Sequence, residues 1–247
     1  MNKVKWCIFV ILGTLLLCCI DIQATTEKPI SFMQGDSKWG TELYSATNNH
    51  SQTIATSGCG PTAMAMVLNY YIDNEITPLQ TAKYALENNY RTCNSGTSWA
   101  YFGDIAEKYN LDFLQTASAD EALEWMNTKE EPLIICSMGR GLWTKQGHFI
   151  LLWCVENETA YINDPASTEQ ARIQNSYNYM ASQCKQYFCF NKISCNDSVY
   201  SFFELSNDLI MKSFILQGRE AIISPLNKLE NVGVNPTPTF MLDNKKS

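Results

Sequence analysis

The sequence predicts an α+β fold on two observations. Stretches with helical spacing come first and strand-like runs follow consecutively. The 247-residue chain is also 45% hydrophobic and only 17% charged, which is enough apolar material for a substantial core. Its length suits one large domain or two small ones, and one is the simpler reading. The composition excludes a disordered or fibrous chain. A net charge of −7 argues against the clustered Lys and Arg of a phosphate-binding surface, so nucleic acid is not expected as a partner. Ten cysteines against two histidines confine any histidine-dependent chemistry to two positions.

In chain order, residues 1–24 read as a signal peptide. Lys3 and Lys5 precede an apolar run, residues 6–20, that falls short of the ~20 residues a spanning helix needs, and the stretch after it ends on Ala24, a small residue suited to cleavage. An uncleaved anchor and acylation at Cys18 or Cys19 are the alternatives. The protein is therefore expected outside the cytoplasm, secreted or at the cell surface. Removing residues 1–24 takes away Cys7, Cys18 and Cys19 and leaves seven cysteines.

Ser57-Gly58-Cys59-Gly60-Pro61-Thr62 leads into residues 63–71, where good helix formers carry apolar residues at helical spacing. This is a loop entering a buried helix, and Pro61 suits a helix start because its missing N–H would have no partner there. Residues 77–88 and 120–128 read as helices, the first with Pro78 near its start and the second with Ser118 or Asp120 as cap. Residues 133–137, 149–155 and 160–162 read as strands, and the polar segment 156–159 as a hairpin turn. Residues 176–190 read as helical and then extended, and 201–216 alternate aromatic with polar. A domain over 25–224 is followed by a tail, 225–247, marked by Asn235-Pro236-Thr237-Pro238-Thr239.

Seven is an odd number, and an unpaired cysteine in an exported chain points to an intermolecular bridge or a free thiol with a role. Cys59 is the candidate. At a helix N-terminus the unpaired N–H groups and the positive end of the helix dipole favour a thiolate, and the flanking glycines would let a substrate backbone come close. A base is then required. His50 lies in a polar stretch without periodicity and reads as a solvated loop residue, whereas His148 opens the apolar run 149–155 and would be held rigidly at the mouth of a buried strand. Asp164 follows the returning strand and is placed to orient the imidazole, although Asp-Pro is also a common turn opening. Gln34 offers a side-chain amide that could donate to an oxyanion beside the Cys59 N–H.

In this order, Gln34…Trp39-Gly40, the Cys59 segment, Gly147-His148-Phe149 and Asn163-Asp164-Pro165 resemble the papain-like cysteine peptidases of family 39, in particular exported family 39-like proteins related to bacteriocin leader peptidases. The resemblance covers about residues 30–190. It implies a papain-like fold, with a nucleophile helix and further helices packed on an antiparallel sheet that carries the histidine and aspartate. It also implies acyl transfer with Cys59, His148, Asp164 and Gln34 as catalytic residues, no cofactor or metal, and a peptide or protein substrate acted on by a monomer. Members that cut double-glycine leaders are fused to membrane exporters, whereas this chain reads as exported. Transfer to another amine and a non-catalytic peptide- or cell-wall-binding module are the alternatives to hydrolysis.

The other mature cysteines, Cys93, Cys136, Cys154, Cys184, Cys189 and Cys195, allow three disulfides in any of 15 pairings, or none. Asn49, Asn157 and Asn196 open glycosylation sequons. Residues 41–56, 91–99 and 139–146 are the loops expected to shape the substrate subsites. The acidic net charge hints at basic peptides.

Overall fold

Helices dominate the first half of the described chain and strands the second. The computed structural model describes residues 27–93 and 96–193. The expectations for the signal segment, Cys195, Asn196, residues 201–216 and the tail fall outside the described residues. The elements are α1 (Ile54–Ser57), α2 (Cys59–Tyr71), α3 (Pro78–Glu87), β1 (Arg91–Thr92), β2 (Gly96–Thr97), α4 (Ala100–Lys108), β3 (Leu111–Thr116) and α5 (Ala119–Thr128), followed by β4 (Leu133–Met138), β5 (His148–Glu156), β6 (Thr159–Asn163), α6 (Gln170–Ile173), β7 (Gln174–Ser176), α7 (Tyr177–Ala181) and β8 (Cys184–Lys192). The compact unit they form ends at Lys192.

One six-stranded sheet runs in the order β3-β8-β4-β5-β6-β7, antiparallel throughout. The α+β expectation is met. β4 lies inside the sheet with all six residues buried, which is why it reads as an unbroken apolar run rather than an alternating one. Successive side chains still point to opposite faces. Ile135 packs with Leu68 of α2 and Phe102 of α4, whereas Ile134 and Cys136 pack with Ala122 of α5 and Met180 of α7. The sheet is thus covered on both faces, and the helix carrying Cys59 belongs to the first layer. From Gly60 to Leu68 every residue of α2 is buried.

Local signals explain where the helices begin. Thr77 precedes α3, Pro78 is its first residue, and the Gln80 side chain accepts from the Thr77 N–H at 2.6 Å. Ser118 caps α5 by accepting from the Glu121 N–H at 3.2 Å. Between β5 and β6, Asn157 and Glu158 take φ of 50° and 62°, the left-handed pair that a tight two-residue hairpin turn requires. This turn pairs Glu156 with Thr159, a bulge between Leu152 and Cys154 then shifts the register so that Leu151 faces Asn163, and the start of β5 and the end of β6 lie at the same end of the sheet. β3 and the short β1–β2 hairpin carry too little alternation to be read from the sequence.

Candidate active site

Cys59 is the first residue of α2, preceded by Gly58 and the single turn α1. The glycines beside it serve the protein's own packing. A Cβ on Gly60 would lie 2.8 Å from Thr97 Oγ1 and 2.9 Å from Thr97 Cβ, and one on Gly58 would lie 2.6 Å from the Ile54 carbonyl oxygen. This corrects the expectation that both leave room for a substrate backbone. They let α1 meet α2 and let β2 press on the start of α2. Open space is found instead at Gly147, just before His148, and at Gly96 and Gly35.

His148 begins β5 opposite Met138 of β4 and is buried. Its Nε2 donates to Asp164 Oδ1 at 2.7 Å, and the ring also hydrogen-bonds the Cys59 thiol, for which Nδ1 is the remaining nitrogen. The structure therefore brings Cys59, His148 and Asp164 into one chain of contacts. His50 is exposed in the 41–56 loop.

The electrostatics of the pair favour charge separation. Burial alone pushes the Cys59 thiol up, but the hydrogen bond and positive charge of His148, with the N–H groups of Phe149 and Gly60, bring it below its ordinary value. For His148, burial disfavours the charged ring, yet hydrogen bonds to Asp164 and Cys59, aided by their negative charges, raise it to about 9. Both shifts act in one direction, favouring transfer of the proton from the thiol to the imidazole.

Asp164 is 1% exposed and fully engaged. Oδ1 also accepts from the Ala166 N–H at 2.9 Å, and Oδ2 accepts from Arg172 Nε at 2.7 Å and Nη2 at 2.6 Å. Arg172 is in turn locked to Trp143, whose indole donates to the Arg172 carbonyl at 2.9 Å while Nη2 donates to the Trp143 carbonyl at 3.0 Å. Sequence reasoning missed this arginine. No motif marks it, and the only available signal was that a buried carboxylate needs a cation beyond the histidine.

Gln34 is held near the same loop, its backbone N–H donating to the Pro165 carbonyl at 2.8 Å. Its side-chain Nε2 donates to the Ala55 carbonyl at 2.6 Å, while Oε1 is buried without a partner among the described residues. One N–H of the amide is thus committed to α1, and a second remains.

Beside the thiol lies a cleft of about 490 Å³. Gln52 and Thr56, Arg91 and Trp99, and Gln146 line it, one group from each of the three loops expected to shape subsites. The six cysteines among the described residues are all free thiols.

A family model described as Peptidase_C39 like matches residues 42–197, a span that takes in Cys59, His148 and Asp164 but not Gln34. The chain belongs to that family. The fold of this Peptidase_C39-like chain is accordingly that of a papain-like cysteine peptidase. Among solved structures, the peptidase domain of Streptococcus ComA, a bi-functional ABC transporter involved in a quorum-sensing pathway, is 18% identical with a TM-score of 0.42, covering 56% of this chain and 93% of that one. A double glycine motif protease from an AMS/PCAT transporter, solved with its leader peptide, is 20% identical with a TM-score of 0.45, covering 70% of this chain and 97% of that one. No curated protein matches the chain.

Proposed function

We propose that this chain is an exported cysteine peptidase that hydrolyses peptide or amide bonds through Cys59, His148 and Asp164. The observation that carries the reading is the position of His148, which bonds the Asp164 carboxylate at 2.7 Å while engaging the Cys59 thiol, with the two groups shifted in opposite directions. Export rests on the lysines and apolar run of residues 1–24.

In the first half-reaction the Cys59 sulfur bonds to the substrate carbonyl carbon and the C=O electron pair moves onto oxygen. The Cys59 backbone N–H at the start of α2 and the second N–H of Gln34 are the proposed donors to that oxyanion. On collapse the C–N bond breaks, and the His148 proton passes to the departing amine. Water then gives a proton to His148 as its oxygen bonds to the acyl carbon, and the C–S bond breaks to release the acid and the thiolate. Asp164 keeps Nε2 protonated and the ring aimed through both halves.

The test is cleavage of a peptide library by the wild-type chain, read by mass spectrometry, alongside Cys59→Ala and His148→Ala. Cleavage by the wild type that disappears in both variants is expected. Cleavage that persists in Cys59→Ala, or a Cys59 inert toward alkylation near neutral pH, overturns the reading.

A further inference from the structure

The chain as a whole is acidic, with a net charge of −7, but the cleft beside Cys59 is not. Among the described residues that line it there is no carboxylate, whereas Arg91, Lys185 and His148 all face it. Net charge is therefore a poor guide to what the cleft receives, because the field inside a cleft is set by its own walls.

Arg91 is the informative residue. It lies on β1, is only 5% exposed, and is fixed from several directions. Nε donates to the Tyr44 carbonyl at 2.9 Å, and Nη1 donates to the Thr92 carbonyl at 2.8 Å and the Gly96 carbonyl at 2.9 Å. The guanidinium carbon also stands 5.1 Å from the Tyr44 ring centroid. These contacts hold three of its five donors and fix the plane of the fork. None of them supplies a negative charge, and none of the ion pairs among the described residues involves Arg91. The two N–H groups of Nη2 have no acceptor among the described residues. A buried cation without a counter-charge is costly, and a rigid guanidinium with one open edge is shaped to receive a carboxylate.

Lys185 adds a second cation from β8. Its stem passes over Gly139, where a Cβ would lie 2.8 Å from Lys185 Cε, so a side chain at 139 would obstruct that path.

We propose that Arg91 and Lys185 form an anion subsite that binds a carboxylate of the peptide substrate close to the scissile bond. The proposal rests on the peptidase reading and names the substrate class for that site: acidic peptides rather than basic ones.

A pair of alkylating reagents tests the charge without a known substrate. Iodoacetate and iodoacetamide share a size and a reaction, but only iodoacetate carries a carboxylate. Their relative rates at Cys59 are measured by peptide mapping, which separates Cys59 from the exposed Cys93. The ratio of iodoacetate to iodoacetamide rates is expected to fall on the order of tenfold in Arg91→Gln, and roughly threefold in Lys185→Gln, whose ammonium is more screened. If Arg91→Gln does not fold, Lys185→Gln decides alone. A ratio unchanged in every folded variant overturns the subsite. A Cys59 that reacts with neither reagent near neutral pH instead overturns the peptidase reading, so the two failures are distinguishable. Matched peptides then identify the carboxylate: Glu against Gln at each position flanking the cut, and a free C-terminus against an amide. Wild-type preference for one acidic member, lost in the variants, supports the proposal, and equal cleavage of all pairs refutes it.

Discussion

Asp164→Asn isolates the contribution of the carboxylate to the imidazolium, because the amide keeps the shape and loses the charge. In the wild type His148 is raised from 6.5 to about 9, a preference for the charged ring of roughly 3 kcal/mol at about 1.4 kcal/mol per pKa unit. Asp164 and Cys59 share that preference, since each contributes a hydrogen bond and a charge. Removing the carboxylate should therefore lower the His148 pKa by about one to two units. Global stability is a poor assay for this. A raised histidine contributes stability that is present below 6.5 and lost as pH rises through about 9, while a lowered thiol contributes stability that is lost as pH falls through its folded value. In the window where the folded pair is zwitterionic, the folded state holds the proton on nitrogen and the unfolded state holds it on sulfur, so proton uptake cancels. Imidazole NMR titration resolves the shift directly. With only two histidines, one exposed and one buried, the signals assign themselves by comparison with His50→Gln. The alkaline limb of kcat/KM should move down in parallel, with kcat falling on the order of 10²- to 10⁴-fold. A wild-type His148 that titrates at or below 6.5, or an Asp164→Asn variant whose His148 does not move, refutes the ion-pair account.

Arg172→Gln leaves Asp164 buried with Oδ2 short of its cation, and denaturant unfolding should show a loss of about 3–5 kcal/mol; a loss under ~1 kcal/mol would mean that Asp164 does not depend on it. Gly60→Ala forces a Cβ against Thr97 and should cost about 1–3 kcal/mol by the same measurement, with the β1–β2 hairpin losing amide-exchange protection before the sheet does. Gln34→Ala should lower kcat by about 10²- to 10³-fold with KM little changed if its free N–H meets the oxyanion. A change confined to KM would place the side chain in substrate binding instead.

The parts of the fold legible in the sequence were those with strong local periodicity or punctuation. The Cys59 helix, the Thr77 and Ser118 helix starts and the paired strands around 149–162 each carry a local signal; the observed helix begins four residues before the 63–71 run, at Cys59, and the other elements differ at their ends by a residue. The sixteen-residue separation of His148 and Asp164 told more than either residue alone, because a tight turn between two strands returns the chain to its starting end. Long-range contacts were not legible. Arg172 and Trp143 come from segments without a pattern, and their reciprocal hydrogen bonds exist only once α6 is folded against the 139–147 loop. The role of the glycines was misread for the same reason: their neighbours, Thr97 and Ile54, are supplied by tertiary packing.

The free thiols show why a lowered thiol pKa alone does not define a nucleophile. Cys136, Cys154 and Cys189 are raised, chiefly by burial. Cys184 is lowered like Cys59: burial opposes the shift, but the Cys136 thiol and neighbouring backbone groups overcome it. The two sites differ in what stands beside the sulfur. Cys184 has another thiol, which can share a hydrogen bond but cannot hold a proton and deliver it to a leaving amine near neutral pH. Cys59 has an imidazole, raised to about 9, whose far nitrogen is clamped by a carboxylate, and that carboxylate is clamped by a guanidinium. Nucleophilicity is useful only where a proton is stored within reach, and among the described thiols that condition is met at the N-terminus of α2.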